Sequence, residues 1–177
     1  STEEQSEILG DLYRATAKLT KLNQSLLLLV KIDNSMPQPN EEIDVKQWIE
    51  NKLEYFQELI INRKLKVNTQ LKHINLSGNG YLFDILINNL LSNAIRHNVE
   101  GGTIHIMLTE MDLVVKNTGS AQPLDEKLVF ERFYKHPTSE GIGLGLAILK
   151  QVCGKLNYRL SYQYINDLHS FNIRLSK

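Results

Sequence analysis

Apolar residues between positions 81 and 98 recur at steps of three and four, which is the spacing of an amphipathic helix. The apolar set consists of Leu82, Ile85, Leu86, Leu90, Leu91 and Ile95. Asn89 and Asn93 are four residues apart, so both carboxamides project from one face, about one turn from each other. Arg96 and His97 continue this polar face. Two amides, a cation and an imidazole on an otherwise apolar helix indicate a polar ligand.

A second helical pattern lies near the N-terminus, where apolar residues alternate steps of four and three over more than three heptads. This heptad stripe comprises Ile8, Leu12, Ala15, Leu19, Leu22, Leu26 and Leu29. Such a period is typical of helices that wind around a partner, and we favour packing against another chain over packing on the protein's own domain. Two prolines then predict a linker over residues 34–40, between a helical segment (1–33) and a domain (41–177).

The rest of the chain mixes strand and helix patterns and predicts an α+β sandwich, in which one sheet carries helices on a single face. The predicted strands are residues 42–45, 65–71, 103–110, 113–115, 158–164 and 170–175. The predicted helices are residues 46–63, 81–98 and a segment from Gly145 to a C-cap at Gly154. Residues 77–80 are interpreted as a turn, with Asn79 or Gly80 as the N-cap of the central helix.

The composition of the chain argues against several classes of function. Twenty basic and twenty acidic residues cancel, so overall charge recruits neither nucleic acid nor an anionic membrane surface. Cys153 is the only cysteine and cannot form an intrachain disulfide. The longest apolar run, residues 26–30, is too short to cross a bilayer. We expect a cytoplasmic chain without a membrane segment and, since it lacks an initiator Met, a fragment of a longer protein.

Three further segments carry candidate chemistry. Gly141, Gly143 and Gly145 precede a helix, where glycine lets the backbone approach a ligand and first-turn N–H groups favour an anion. No Gly-Lys-Ser/Thr follows, so this is not a Walker loop, and no βαβ unit surrounds it. Residues 117–119 (NTG) follow a strand, and residues 130–134 (FERFY) combine aromatic and charged side chains. Each segment alone is also explained by a turn or a loop anchor.

In their order along the chain, these segments resemble the four boxes of the sensor histidine kinases. NNLLSNAIRH (88–97) resembles the N box, and KNTGSA (116–121) resembles the G1 box. VFERFYK (129–135) resembles the F box, and EGIGLGLAI (140–148) resembles the G2 box. The region from about residue 40 onward is similar to the family's ATP-binding catalytic domain. This resemblance implies a Bergerat fold, a two-layer α/β sandwich with a mixed sheet.

The N-terminal helix resembles a second part of the same family. KLTKLNQSLLLLVKID (18–33) is similar to the second helix of the dimerisation and phosphoacceptor hairpin. A homodimer through this long helix is therefore implied for the full-length protein.

Within the N box, the resemblance makes Asn89, Asn93 and Arg96 the catalytic residues. Asn93 matches the Mg²⁺-coordinating Asn, and Asn89 is a second candidate ligand. A neutral carboxamide oxygen suits a hard cation that bridges phosphates. Arg96 matches a basic position that contacts phosphate, and His97 matches a ring near the nucleoside. The implied cofactors are ATP and Mg²⁺.

The other boxes complete the implied nucleotide site. Asn117 stands where the family usually has an Asp that accepts from the adenine amino group, and an Asn carbonyl oxygen can accept the same bond. Gly119 and Ala121 match the two G1 glycines, so the second glycine is replaced. The G2 loop over the phosphates contributes Gly141, Gly143, Leu144 and Gly145.

The resemblance implies transfer of the ATP γ-phosphoryl group to a histidine, and then to an aspartate of a response regulator receiver domain. The family's phosphoacceptor His lies in an H box, which this sequence lacks, so we expect no autophosphorylation of the chain alone. His73, His105 and His169 are interpreted as surface or strand residues. His136 lies in the segment that matches a short ATP lid.

Two alternative functions stay open. An ATP-hydrolysing protein of the same fold, similar to gyrase or the Hsp90 chaperones, would carry a Glu where this chain has Asn89, and an amide is a poor general base. A non-catalytic nucleotide-binding or dimerising module is compatible with the altered G1 box.

Overall fold

The structure is a computed structural model that describes residues 2–34, 41–135 and 141–175, with side chains from residue 5 onward. The helices are α1 (Thr2–Asp33), α2 (Val45–Tyr55), α3 (Gln57–Asn62), α4 (Gly80–Arg96) and α5 (Gly145–Leu156). The strands are β1 (Glu41–Asp44), β2 (Lys66–Leu71), β3 (Asn75–Gly78), β4 (Thr103–Leu108), β5 (Asp112–Asn117), β6 (Arg159–Ile165) and β7 (Leu168–Arg174). The predicted linker falls, except for Asn34, outside these ranges, and so does His136.

Five strands form one mixed sheet in the order β2-β4-β5-β7-β6, with β2 and β4 parallel and the other neighbours antiparallel. Side chains alternate across it: Ile104 and Ile106 are buried under the helices, whereas His105 between them is exposed. α4 and α5 pack on the buried face and against each other. The predicted α+β sandwich with a mixed sheet and helices on one face is confirmed.

The central helix α4 begins where its capping residue predicts. Asn79 is the N-cap, and its Oδ1 accepts a 3.0 Å hydrogen bond from the N–H of Leu82. The apolar residues of α4 are buried between the sheet, α2 and α5, including Phe83, Leu86 and Ile95 at 0% exposure. The polar positions are left along one side of the helix, toward α5.

The heptad stripe of α1 divides into two parts. Near the end of the helix, Leu29 is buried in the core of the domain, and its carbonyl accepts a 3.2 Å hydrogen bond from Gln151 Nε2 on α5. Earlier in the helix, Ile8, Leu12 and Leu19 are 55%, 61% and 65% exposed. The last turns of α1 therefore pack on the protein's own domain, which the preference for another chain did not foresee, while the earlier stripe stays open.

The small two-stranded sheet corrects the predicted turn at residues 77–80. Residues 75–78 form β3, which pairs antiparallel with β1, and Ser77 lies opposite Glu42. Short polar strands show little alternation of hydrophobic and polar residues, so the sequence pattern indicates this pairing only weakly.

Two helix boundaries also differ from the prediction. The helix predicted over residues 46–63 is broken at Phe56, which ends α2 and caps α3. α5 runs past Gly154 and ends at Asn157, which adopts the left-handed conformation at φ 59° and ψ 32°. Asn is among the few non-glycine residues that tolerate this region, so it can replace glycine at a helix end. Within the described ranges, no helix is both long enough and apolar enough to cross a bilayer.

Candidate functional site

A cleft of about 810 Å³ opens where α4, the start of α5, the end of β5 and the middle of α1 meet. The predicted site residues that line it are Asn89, Asn93, Arg96, His97, Asn117, Gly141, Gly143, Leu144 and Gly145. Gly119 and Ala121 do not line the cleft, and Ala121 is exposed. Four segments that are far apart in the sequence thus contribute to one concave surface.

The two Asn side chains of α4 differ in their hydrogen bonding. Asn89 Nδ2 donates to the carbonyl of Ile85 at 2.8 Å, which leaves its Oδ1 on the side of α5 near Gly145. The half-buried carboxamide of Asn93 has no hydrogen-bond partner among the described residues. This amide is therefore free of other bonds within the described residues, and its oxygen suits a hard cation such as Mg²⁺.

Asn117 offers an acceptor in the wall of the same cleft. It ends β5 and is 2% exposed, and its Nδ2 donates a 2.7 Å hydrogen bond to the carbonyl of Thr118. That bond fixes the orientation of the amide, because the opposite flip would bring two oxygens together. Its Oδ1 is buried and has no hydrogen-bond partner in the described part of the chain. A buried acceptor of this kind fits a ligand that carries an N–H group.

Positive charge collects at the end of the cleft formed by the C-terminus of α4. Lys21, Arg63, Arg96 and Lys135 line the cleft, and the charges of the first three act on His97 at this end. No Asp or Glu is among the described lining residues. Burial in the cleft wall, together with the charges of Arg63, Arg96 and Lys21, lowers the pKa of His97. The ring of His97 still reaches solvent, so the shift reflects the electropositive surroundings as well as burial. Such surroundings favour a polyanion.

The start of α5 adds backbone donors to the same cleft. Leu144 precedes the helix without a side-chain cap, so the first N–H groups of α5 are available to an anion. Gly143 has φ +77°, and a Cβ there would lie 2.7 Å from the Phe133 carbonyl carbon and the Tyr134 carbonyl oxygen. The N–H of Phe133 donates to the carbonyl of Gly143 at 2.8 Å. The FERFY segment therefore holds the glycine loop in place.

The interpretation of His169 as a surface or strand residue is right about the strand and wrong about the surface. His169 lies on β7 as a strand residue, but it is 6% exposed and lines the cleft. Its Nε2 is 3.0 Å from the Ser120 carbonyl, and its Nδ1 is 2.8 Å from the Tyr162 hydroxyl. The Tyr162 oxygen already accepts from the N–H of Leu124 at 3.0 Å, so its own proton goes to Nδ1, and Nε2–H donates to Ser120.

Gly119 supports this arrangement from behind the cleft. A Cβ at Gly119 would lie 2.9 Å from Cδ2 of His169 and 3.0 Å from the carbonyl oxygen of His97. The glycine therefore permits the loop after β5 to approach both histidines closely.

Two polar residues that the sequence did not single out hold the chain after α4. The Arg63 guanidinium donates to the carbonyls of Arg96 and Asn98 at 2.9 and 2.6 Å. The buried Asn98 side chain donates to the carbonyls of Ala94 and Thr103. These bonds define where Arg96 and His97 stand. The sequence signal for Asn98 is only its place in the polar run that ends α4. No local pattern around Arg63 predicts its role.

Residues 79–172 match the family described as Histidine kinase-, DNA gyrase B-, and HSP90-like ATPase. The chain is 32% identical over 170 residues to the Heme sensor protein HssS of Staphylococcus aureus strain Newman. That alignment covers 90% of this chain and 37% of HssS. The chain thus spans well under half the length of this relative.

Solved structures of histidine kinases are also similar to this chain. A mycobacterial sensor histidine kinase, MprB, is similar with a TM-score of 0.68 and 26% identity, over 77% of this chain and 96% of that one. The histidine kinase ThkA, solved in complex with the response regulator protein TrrA, is similar with a TM-score of 0.70. That likeness covers 91% of this chain and 49% of ThkA at 18% identity, and it shows the fold alone.

Proposed function

This chain belongs to the histidine kinase-, DNA gyrase B- and HSP90-like ATPases as the ATP-binding catalytic domain of a sensor histidine kinase, and on that premise we propose how its cleft works. It binds ATP with Mg²⁺ and presents the γ-phosphoryl group to a histidine that this sequence does not carry. In the whole protein, that group then passes to an aspartate of a response regulator receiver domain, and this part of the protein works in the cytoplasm.

The observation that carries the proposal is the buried, unpartnered Oδ1 of Asn117. The adenine amino group is a donor of the kind this oxygen lacks, and bonding to it would remove the cost of a buried acceptor. With the base at Asn117, Arg96 and the first N–H groups of α5 would be available to the phosphates, because they belong to the same cleft. The lining of the cleft thus contains an acceptor for the base and cationic and N–H groups for the phosphates of ATP.

Asn93 is the residue proposed to hold Mg²⁺, with Asn89 beside it. The Asn93 carboxamide is unpartnered among the described residues, and the free Oδ1 of Asn89 lies one helical turn earlier on the same side. When bound, Mg²⁺ would neutralise charge on the phosphates. Arg96 and the first N–H groups of α5 would orient the γ-phosphoryl group for in-line attack by the histidine.

Transfer to a histidine is favoured over hydrolysis because the described lining of the cleft contains no carboxylate to activate water. Asn89, at the position of the hydrolytic Glu in related ATPases, uses Nδ2 to bond the Ile85 carbonyl. An amide held in this way is a poor general base.

We also propose that the full-length protein forms a homodimer through α1. The exposed Ile8, Leu12 and Leu19 form an apolar stripe of the kind that packs in helical bundles. Leu19→Asp should weaken self-association in sedimentation while leaving the far-UV spectrum unchanged. Glu7→Gln, at an exposed residue off the stripe, is the control. Equal association of Leu19→Asp and wild type would contradict this interface.

Calorimetric titration with ATP, in the presence and absence of Mg²⁺, tests the proposed site. Asn93→Ala should weaken Mg·ATP binding by about tenfold, the equivalent of one lost ligand contact of roughly 1.4 kcal/mol, and should change metal-free ATP binding much less. Equal losses with and without the metal would make Asn93 a structural residue. A wild-type chain that binds no ATP would contradict the proposal as a whole.

A further inference from the structure

The cleft contains a contribution from outside the catalytic domain. Lys21 and Ser25 of α1 line it, about two turns and one turn, respectively, before the buried Leu29. The docking is specific, because Lys155 Nζ of α5 donates to the Asp33 carbonyl at 2.9 Å and Ile32 is fully buried. The middle of α1 is therefore held beside the cationic end of the cleft.

The ammonium group of Lys21 has no opposite charge beside it in the described part of the chain. Among the described residues it forms no hydrogen bond and no ion pair, and no carboxylate lines the cleft around it. Burial and the nearby guanidinium of Arg96 lower the pKa of Lys21. The repulsion between these two cations destabilises the docked position of α1 when no counter-ion is present. A polyanion bound between them would instead stabilise it.

We propose that Lys21 of α1 binds the polyphosphate of the nucleotide together with Arg96, so that nucleotide binding and docking of α1 on the catalytic domain stabilise each other. This inference rests on the proposed function of the cleft as an ATP site. The partner of Lys21 is the polyphosphate, because Lys21 lines the cleft close enough to Arg96, the proposed phosphate contact, for their charges to interact.

Nucleotide binding and docking of α1 would each favour the other. If the docked helix raises the affinity for ATP, then ATP must raise the population of the docked helix by the same factor. The nucleotide would therefore hold α1, which carries the exposed dimerisation stripe, against the domain that must later present the phosphoryl group.

Calorimetry with ATP and with AMP separates this role from a structural one. Lys21→Gln should weaken ATP binding roughly three- to fivefold, the scale of one solvent-accessible charge contact. AMP binding should change less, because AMP carries fewer phosphate charges. Lys21→Arg should retain ATP affinity. The matched control Lys18→Gln removes a lysine from α1 that is exposed and does not line the cleft, so it should bind ATP as wild type does.

Hydrogen exchange provides a second readout. ATP should slow exchange of the backbone amides in the last turns of α1 in the wild type, and slow it less in Lys21→Gln. Unchanged ATP affinity in Lys21→Gln, or equal losses for ATP and AMP, would overturn the inference while leaving the ATP site intact. Failure of the wild type to bind ATP at all would overturn the proposed function and this inference with it.

Discussion

Thr118 Oγ1 donates a 2.5 Å hydrogen bond to Oδ1 of the buried Asn98, and this bond joins the loop after β5 to the residue that follows the end of α4. The same hydroxyl accepts from the N–H of Thr103 at 2.8 Å. A Cβ on Gly102 would lie 2.2 and 2.3 Å from the two bonded oxygens, so only glycine leaves room for the pair. The loop that follows Asn117 and the residue that follows His97 are therefore held side by side in the wall of the cleft.

Removing this hydroxyl should cost stability. Thr118→Val leaves the Asn98 oxygen and the Thr103 N–H without this partner in a buried setting, and should lower the free energy of unfolding by about 1–3 kcal/mol. Thr118→Ser keeps the hydroxyl and should stay closer to wild type. Urea denaturation measures both. Equal midpoints for Val and Ser at this position would show that the bond contributes nothing.

Base selectivity should follow from Asn117. GTP presents a carbonyl oxygen where ATP presents an amino group, and two facing acceptors lose the bond, at a cost of roughly 1–3 kcal/mol. ATP should therefore bind more tightly than GTP, by about a factor of thirty at the middle of that range. Asn117→Leu, of similar size but without the acceptor, should remove most of the preference. Indistinguishable affinities of the wild type for ATP and GTP would remove Asn117 from the site.

Two glycine substitutions should have opposite effects. Gly143→Ala introduces a Cβ at φ +77° against the backbone of Phe133 and Tyr134, and should destabilise the fold by about 1–2 kcal/mol or more and weaken ATP binding. Gly154→Ala lies inside α5 with no atom within 4 Å of the new Cβ, and should stabilise by about 0.5–1 kcal/mol. Thermal unfolding compares the two. A Gly143→Ala chain as stable as Gly154→Ala would contradict the proposed strain.

The lowered pKa of His97 gives a pH dependence with a definite sign. Because the folded-state pKa lies below the ordinary value of 6.5, the unfolded chain takes up a proton first as the pH falls. The free energy of unfolding should therefore decrease as the pH drops below about 6.5, and this contribution should vanish above it. His97→Gln isolates the effect, since the other histidines remain. If the wild type and His97→Gln lose stability in parallel from pH 7 to 5, His97 titrates normally.

Much of the site follows from local patterns. Asn89 and Asn93 lie on one helical face because their spacing is four, and Asn79 caps α4 through the hydrogen bond that its side chain predicts. The glycines before α5 line the cleft, as expected of residues that precede a helix. Short-range geometry decides all of these features, and the sequence therefore contains them.

Other features depend on neighbours that are distant in sequence. His169 lies opposite Asn117 only through the pairing of β5 with β7, and its burial follows from that register. The docking of α1 depends on Gln151 and Lys155, which are 122 residues from the carbonyls they bond. Periodicity reports that a face is apolar and does not identify its partner, so the division of the heptad stripe could not be predicted.

Phosphoryl transfer to a separate acceptor tests the central claim most directly. The chain is incubated with γ-labelled ATP, Mg²⁺ and a separate protein that carries the first hairpin helix and its phosphoacceptor histidine. Label should appear on the added protein in an acid-labile, base-stable form, as phosphohistidine requires, with none on this chain and little phosphate released to water. Stable label on this chain alone, or rapid release of phosphate without labelling of the acceptor, would contradict the assignment as a histidine kinase catalytic domain.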